Sequence, residues 1–160
     1  MPAYIKLPDI TGEVNDEDHK QWIEVQSVSL PIMRSIQPGA RGAKRSNGET
    51  TLGDLSVFKL SDSSTPSIAK AVADGKFMDE VLIHLCSTIN DKNVTNLELK
   101  LANVVLSSYS FSANGEQNPP PSESLTMNYT KCEWNYMKYD EMGKEAGNFP
   151  ATYDTEKSRS

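Results

Sequence analysis

The sequence has little of what catalysis and metal binding need. Its 160 residues include two histidines and two cysteines. So few cysteines exclude a disulfide-stapled scaffold. Cys86 and Cys132 both sit in apolar-patterned segments and read as reduced, buried thiols. No set of Cys, His, Asp and Glu has zinc-site spacing, and the acidic stretch lacks the register and glycine of a calcium loop. His84 lies in an apolar run and reads as a satisfied core or interface residue. His19 follows Asp16-Glu17-Asp18 and reads as part of a solvated loop. Gly39 to Ser46 misses the phosphate-loop spacing, and a strand pattern follows where that motif needs a helix. No cofactor, no metal and no catalytic residue is expected, and the chain does not read as an enzyme.

Long apolar runs are also missing. None approaches the roughly 20 residues that span a bilayer, so no membrane insertion is expected. The opening Met-Pro-Ala-Tyr-Ile-Lys-Leu-Pro has no secretory apolar region, which predicts a protein made in the cytoplasm and exported only by a dedicated machine. Net charge is −6, which argues against nucleic acid as a partner. Asn93-Val94-Thr95 and Asn128-Tyr129-Thr130 are glycosylation patterns without meaning in a chain lacking a signal peptide.

What is present is strand alternation, in a chain of one-domain size. Strand patterns run over Tyr4–Leu7, Trp22–Ile32, Thr50–Leu60, Phe77–Thr88, Val94–Phe111 and Leu125–Tyr139. The tail over 143–160 reads as partly flexible, with one further strand around Phe149–Thr155. Polar turns separate these runs and favour antiparallel neighbours. The one helix starts at Ser64 or Thr65, has Pro66 in its first turn and Gly75 as its stop, with Ile68 and Val72 one turn apart.

Three of the strands change phase midway. Ile23 and Val25 give way to Val28, Leu30 and Ile32. Leu97, Leu99 and Leu101 give way to Val104 and Leu106. Leu125, Met127 and Tyr129 give way to Cys132, Trp134 and Tyr136. A strand changes its buried face only through an extra residue or a bend. Such strands either serve two sheets, as in a small barrel or orthogonal sandwich, or are buried on both sides. Phe77–Cys86 reads as buried on both faces. Charge is segregated: Asp9–Glu24 is acidic, with Asp16, Glu17 and Asp18 at its centre, and the loop from Arg34 to Ser46 carries Arg34, Arg41, Lys44 and Arg45. The two loops are either ordinary solvated surface or complementary faces of stacked copies.

Gly12-Glu13-Val14-Asn15-Asp16-Glu17-Asp18-His19-Lys20 followed by Trp22-Ile23-Glu24-Val25 resembles the opening of the Hcp (hemolysin-coregulated) proteins, the tube proteins of bacterial type VI secretion. Leu55–Lys59, Asp62–Pro66, Asp74-Gly75-Lys76, Leu101–Ser110, Ser122–Tyr129 and Tyr153-Asp154 resemble later parts of that family in the same order. Val28-Ser29-Leu30 and the basic loop Arg41–Arg45 depart from it. The resemblance implies one mainly β domain over 1–160. Its fold is a closed β-barrel of two antiparallel sheets with one short flanking helix and a long extended loop. It further implies a homohexameric ring, stacking into a tube that a contractile sheath propels, a spike protein at the tip, and small effector proteins in the lumen. In this frame Ser27 and Ser29 are expected to face the lumen and to touch effectors. Arg34, Arg41, Lys44 and Arg45 are expected to meet Asp16, Glu17 and Asp18 between rings. A phage-type tail-tube protein and a monomeric β-barrel ligand-binding module are the other readings.

Overall fold

A computed structural model of the chain describes residues 2–46, 48–115 and 120–157. Eleven strands and one α-helix follow in chain order: β1 (Ala3–Lys6), β2 (Ile23–Val25), β3 (Ser27–Ser29), β4 (Ile32–Arg34), β5 (Thr50–Leu52), β6 (Leu55–Leu60), α1 (Thr65–Asp74), β7 (Phe77–Ile89), β8 (Lys92–Ser112), β9 (Ser122–Asn128), β10 (Lys131–Tyr139) and β11 (Glu145–Asp154). The main sheet is antiparallel and runs β2-β1-β7-β8-β9-β6-β3. Its two terminal strands are consecutive in the chain and are joined by Gln26 alone. The sheet therefore closes into a barrel, and the Gln26 amide donates across the seam to the Phe58 carbonyl at 2.7 Å.

The phase switches are bends, as the two-sheet reading requires. The Trp22–Ile32 segment is not one strand. Ile23 and Val25 pair with β1, while Ser27–Ser29 pairs with β6. In β8 the switch falls at Asn103, which has φ 56°, a left-handed conformation that asparagine tolerates. Leu99 and Leu101 before it and Val104 and Leu106 after it are all buried. β9 and β10 lie end to end along the same side of β8 and break at Tyr129-Thr130. Beyond that break β9 continues into the barrel through β6, whereas β10 turns out to pair with β11.

Three expectations need correction. Phe77–Cys86 is not buried on both faces. Met78, Val81, Ile83 and Cys86 reach the core, Phe77 is exposed, and a register shift between Leu85 and Cys86 restores the inward face. The last strand starts earlier than Phe149, because β11 pairs with β10 from Glu145 to Asp154. Thr50–Leu60 divides into β5 and β6, and β5 pairs with β4 in a separate two-stranded ribbon. The extended loop is thus an arm with a β base, and residue 47 lies outside the described residues. So do residues 116–119 of the proline-rich connection and 158–160 of the tail.

Ser64 stands at the N-cap of α1 without a capping side-chain bond, and Gly75 closes the helix at φ 62°. Its buried face is Ile68 and Ala71, which join the core with Val72 packed at its margin. Helix and barrel are tied by a buried polar cluster. Lys59 forms an ion pair with Glu123 on the neighbouring strand and donates to Asp62 at 3.2 Å. Asp62 also accepts from the Ser64 amide at 2.9 Å. Tyr109 donates to the other oxygen of Glu123. Cys86 and Cys132 are both free and buried.

Candidate assembly and lumen surfaces

Ser27 and Ser29 project from β3 on the face opposite half-buried Val28, and both are exposed. Residues directly opposite one another on neighbouring strands share a face. Ser29 pairs with Ser56, Ser56 with Thr126, and Thr126 with Ser108. One strand step away, Ser27 pairs with Phe58, Phe58 with Ser124, and Ser124 with Ser110. A third row runs Leu60, Ser122, Ser112. These rows form one outward sheet face, made mostly of small hydroxyls and interrupted by exposed Phe58 and Leu60, with no charged side chain in the rows and the Asp54 carboxylate at their edge on Ser107. Ser108 and Thr126 hydroxyls are 2.6 Å apart and those of Ser107 and Thr126 2.7 Å, so the first row is braced along its own length at the β8 register shift. Of this wall the sequence reading found only Ser27 and Ser29. Ser108, Ser110 and Ser112 alternate with Tyr109 and Phe111, and Ser124 and Thr126 with Leu125 and Met127, which is the available signal.

The arm carries the basic residues. Arg34 leaves β4 exposed and donates to Thr50 at 2.8 Å. Arg41 is exposed, and Lys44 and Arg45 lie exposed on a short 3-10 turn over Gly42–Ser46. The arm is also apolar: Ile32, Met33 and Ile36 are each at least half exposed. A two-stranded ribbon with both faces uncovered is marginal on its own. Two further outward pairs are apolar, Phe77 with Val105 and Tyr136 with Phe149.

The acidic loop is not uniformly solvated. Glu17 and Asp18 are exposed, but Asp16 is half-buried. It binds His19 Nδ1 at 2.5 Å and accepts from Asn93 Nδ2 at 3.1 Å. Against the upward push of its partial burial, these hydrogen bonds hold the Asp16 carboxyl below the ordinary carboxylate value. His19, expected in solvent, is buried: its ring lies against Tyr4 at 4.7 Å, tilted by 32°, and meets Trp22 edge-on at 4.8 Å. No ion pair among the described residues joins Arg41, Lys44 or Arg45 to Asp16, Glu17 or Asp18 within the chain. Among the described residues no group of three or more His, Cys, Asp and Glu side chains is placed to hold a metal ion. No helix there is long and apolar enough to cross a membrane.

The molecule is a barrel closed by a split strand, with a projecting β arm and a sheet face rich in small hydroxyls. Comparison places it in a family. The model of the family described as "Type VI secretion system effector, Hcp" matches residues 4–136, and the chain belongs to that family. It is 27% identical over 147 residues to the protein hcp1 of Pseudomonas aeruginosa, covering 92% of this chain and 90% of that one. A solved type six secretion system protein superposes with a TM-score of 0.90 at 26% identity, covering 99% of this chain and 98% of the other. Hcp1 from Salmonella typhimurium superposes at 0.77 with 20% identity, over 99% and 97% of the two chains. The mainly β architecture with one helix is the fold of these proteins.

Proposed function

We propose that this chain is a ring subunit of a type VI secretion tube. Six copies close into a hexamer, rings stack, and the lumen carries small effector proteins. A sheath and a tip spike act on the stack, and the subunit leaves its cytoplasm of origin only through that machine. The observation that carries this reading is the hydroxyl wall on β3, β6, β9 and β8. A channel that must hold varied cargo and still release it needs a wettable surface without fixed charge, because a single sign of charge would repel or retain cargo of one type. Ser27 and Ser29 lie at the rim strand of that wall, so they touch cargo in the ring.

The apolar pairs Phe77–Val105 and Tyr136–Phe149 serve ring closure, and the arm serves stacking. Glu17 and Asp18 are the acidic side of the stacking contact. Asp16 takes part through its loop, because its own carboxylate is engaged. Exposed ion pairs contribute only about 0–1 kcal/mol each, so the apolar residues Ile32, Met33 and Ile36 share the work. Salt weakens stacking more than ring closure. Sedimentation of the purified chain at micromolar concentration is expected to give a hexamer, and a monomer alone would exclude a ring. In Arg41→Ser/Lys44→Ser/Arg45→Ser the hexamer is expected to persist while tube formation and secretion fall. Tubes unchanged at low and high salt would remove these charges from the contact.

A further inference from the structure

Two histidines from distant parts of the chain meet under the acidic loop. His19 Nε2 lies 2.9 Å from His84 Nδ1. At the outer ends, His19 Nδ1 meets Asp16 Oδ2 at 2.5 Å and His84 Nε2 lies 2.8 Å from Glu98 Oε2. The result is a line of three contacts: carboxylate, imidazole, imidazole, carboxylate. Each contact needs one proton, and ionised carboxylates bring none. Two neutral imidazoles carry two protons and leave one contact unmade. Buried His84 Nε2 is the orphan, since it has no hydrogen bond of good geometry despite its nearness to Glu98. One added proton completes all three contacts. A second puts two N–H donors head-on across 2.9 Å.

We propose that the Asp16–His19–His84–Glu98 line is a proton-operated latch, which holds the acidic loop on the sheet with one shared proton and releases it when acid delivers a second.

The surroundings fit this role. Tyr4 and Glu24 continue the cross-strand row from His84 over β1 and β2. Thr95 Oγ1 stands 3.3 Å from His84 Nδ1, and Cys86 Sγ 4.0 Å from His19 Nε2. Asn93 binds both Asp16 and the Tyr4 hydroxyl. Among the described residues no Lys or Arg ion pair touches the line, and besides the imidazoles Asn93 donates to Asp16. Burial holds the His84 imidazole below its ordinary value, with Glu98 opposing and the His19 charge adding to the fall. A histidine depressed on folding stabilises the folded form fully above its unfolded value, and that contribution is lost as pH falls through the folded one. The loop is therefore closed at neutral pH and opens on the acid side of the ordinary histidine range.

Hydrogen exchange of the full chain tests this. Between pH 7.5 and 5, corrected for intrinsic rates, amides of residues 12–22 are expected to accelerate at least tenfold while β7 and β8 stay protected. In His84→Gln that step is expected to vanish. Equal acceleration in both proteins, or none in wild type, overturns the latch. Histidine side-chain NMR of the wild type gives a check that needs no variant. The pair is expected to titrate in two separate steps, and both rings titrating together in one step overturns the proposal.

Discussion

Lys59 and Glu123 show how much a single buried contact carries. Both are fully enclosed and each is the other's counter-ion. Removing one partner leaves an unpaired charge in the core, which costs about 3–5 kcal/mol, whereas apolar replacement of both can be neutral. Lys59→Met should therefore lose that much in chemical denaturation, and Lys59→Met/Glu123→Leu should recover most of it. The same carboxylate reaches Tyr109, whose phenol is pushed up to about 12 by burial and then by Glu123. A phenol raised on folding stabilises the fold fully below its unfolded value, and the contribution fades as pH rises from there towards about 12. Burial also raises Tyr4, Tyr129 and Tyr139, so ultraviolet titration should show several late-ionising tyrosines, of which the Tyr109 step moves down in Glu123→Gln. At the proposed lumen, Ser29→Gln should leave rings intact and lower effector retention, and disruption of the ring itself would show Ser29 to be packed. These polar partnerships were the least legible part of the chain. Lys59, Glu123 and His19 look like ordinary surface residues in sequence, because a contact between residues 64 or 65 positions apart leaves no local pattern.

Strands and loops were read better, and the reason is periodicity. Alternation marks a face, and a break in alternation marks a bend, so the phase switches located the corners near Gln26, Asn103 and Thr130 before any coordinates. What alternation does not encode is pairing. The division of one apolar segment into β2 and β3 depends on partners far along the chain, and the double-sided look of Phe77–Cys86 came from a register shift that keeps one face inward. The acidic loop is set by a close approach that sequence shows only as a glycine: a Cβ at Gly12 would lie 2.2 Å from the Trp22 carbonyl oxygen. Gly12→Ala should therefore displace the loop base, and the Trp22 emission should shift while far-ultraviolet dichroism of the barrel stays. Gly75→Ala should cost about 1 kcal/mol, since the helix stop requires a left-handed residue.

At the scale of the molecule, the chain is a hoop with two extensions, the β4–β5 arm and the β10–β11 hairpin, each with an uncovered edge that a neighbouring copy can meet. Limited proteolysis should accordingly cut the free arm before the tail. The hoop has one peculiarity at its seam. Most seams between sheet ends are held only by hydrogen bonds, but here the backbone itself crosses at Gln26. A seam of hydrogen bonds can unzip one bond at a time under load. A covalent clasp cannot, and force on either half is passed along the chain to the other. The clasp thus fits the barrel to bear circumferential strain, which a subunit of the proposed tube would meet. Moving the chain ends to this point by circular permutation would turn a clasp into a gap. A permutant opened at Gln26 should yield at lower force and lower denaturant than one opened at the Asn90-Asp91 turn, where the chain only reverses between two long strands.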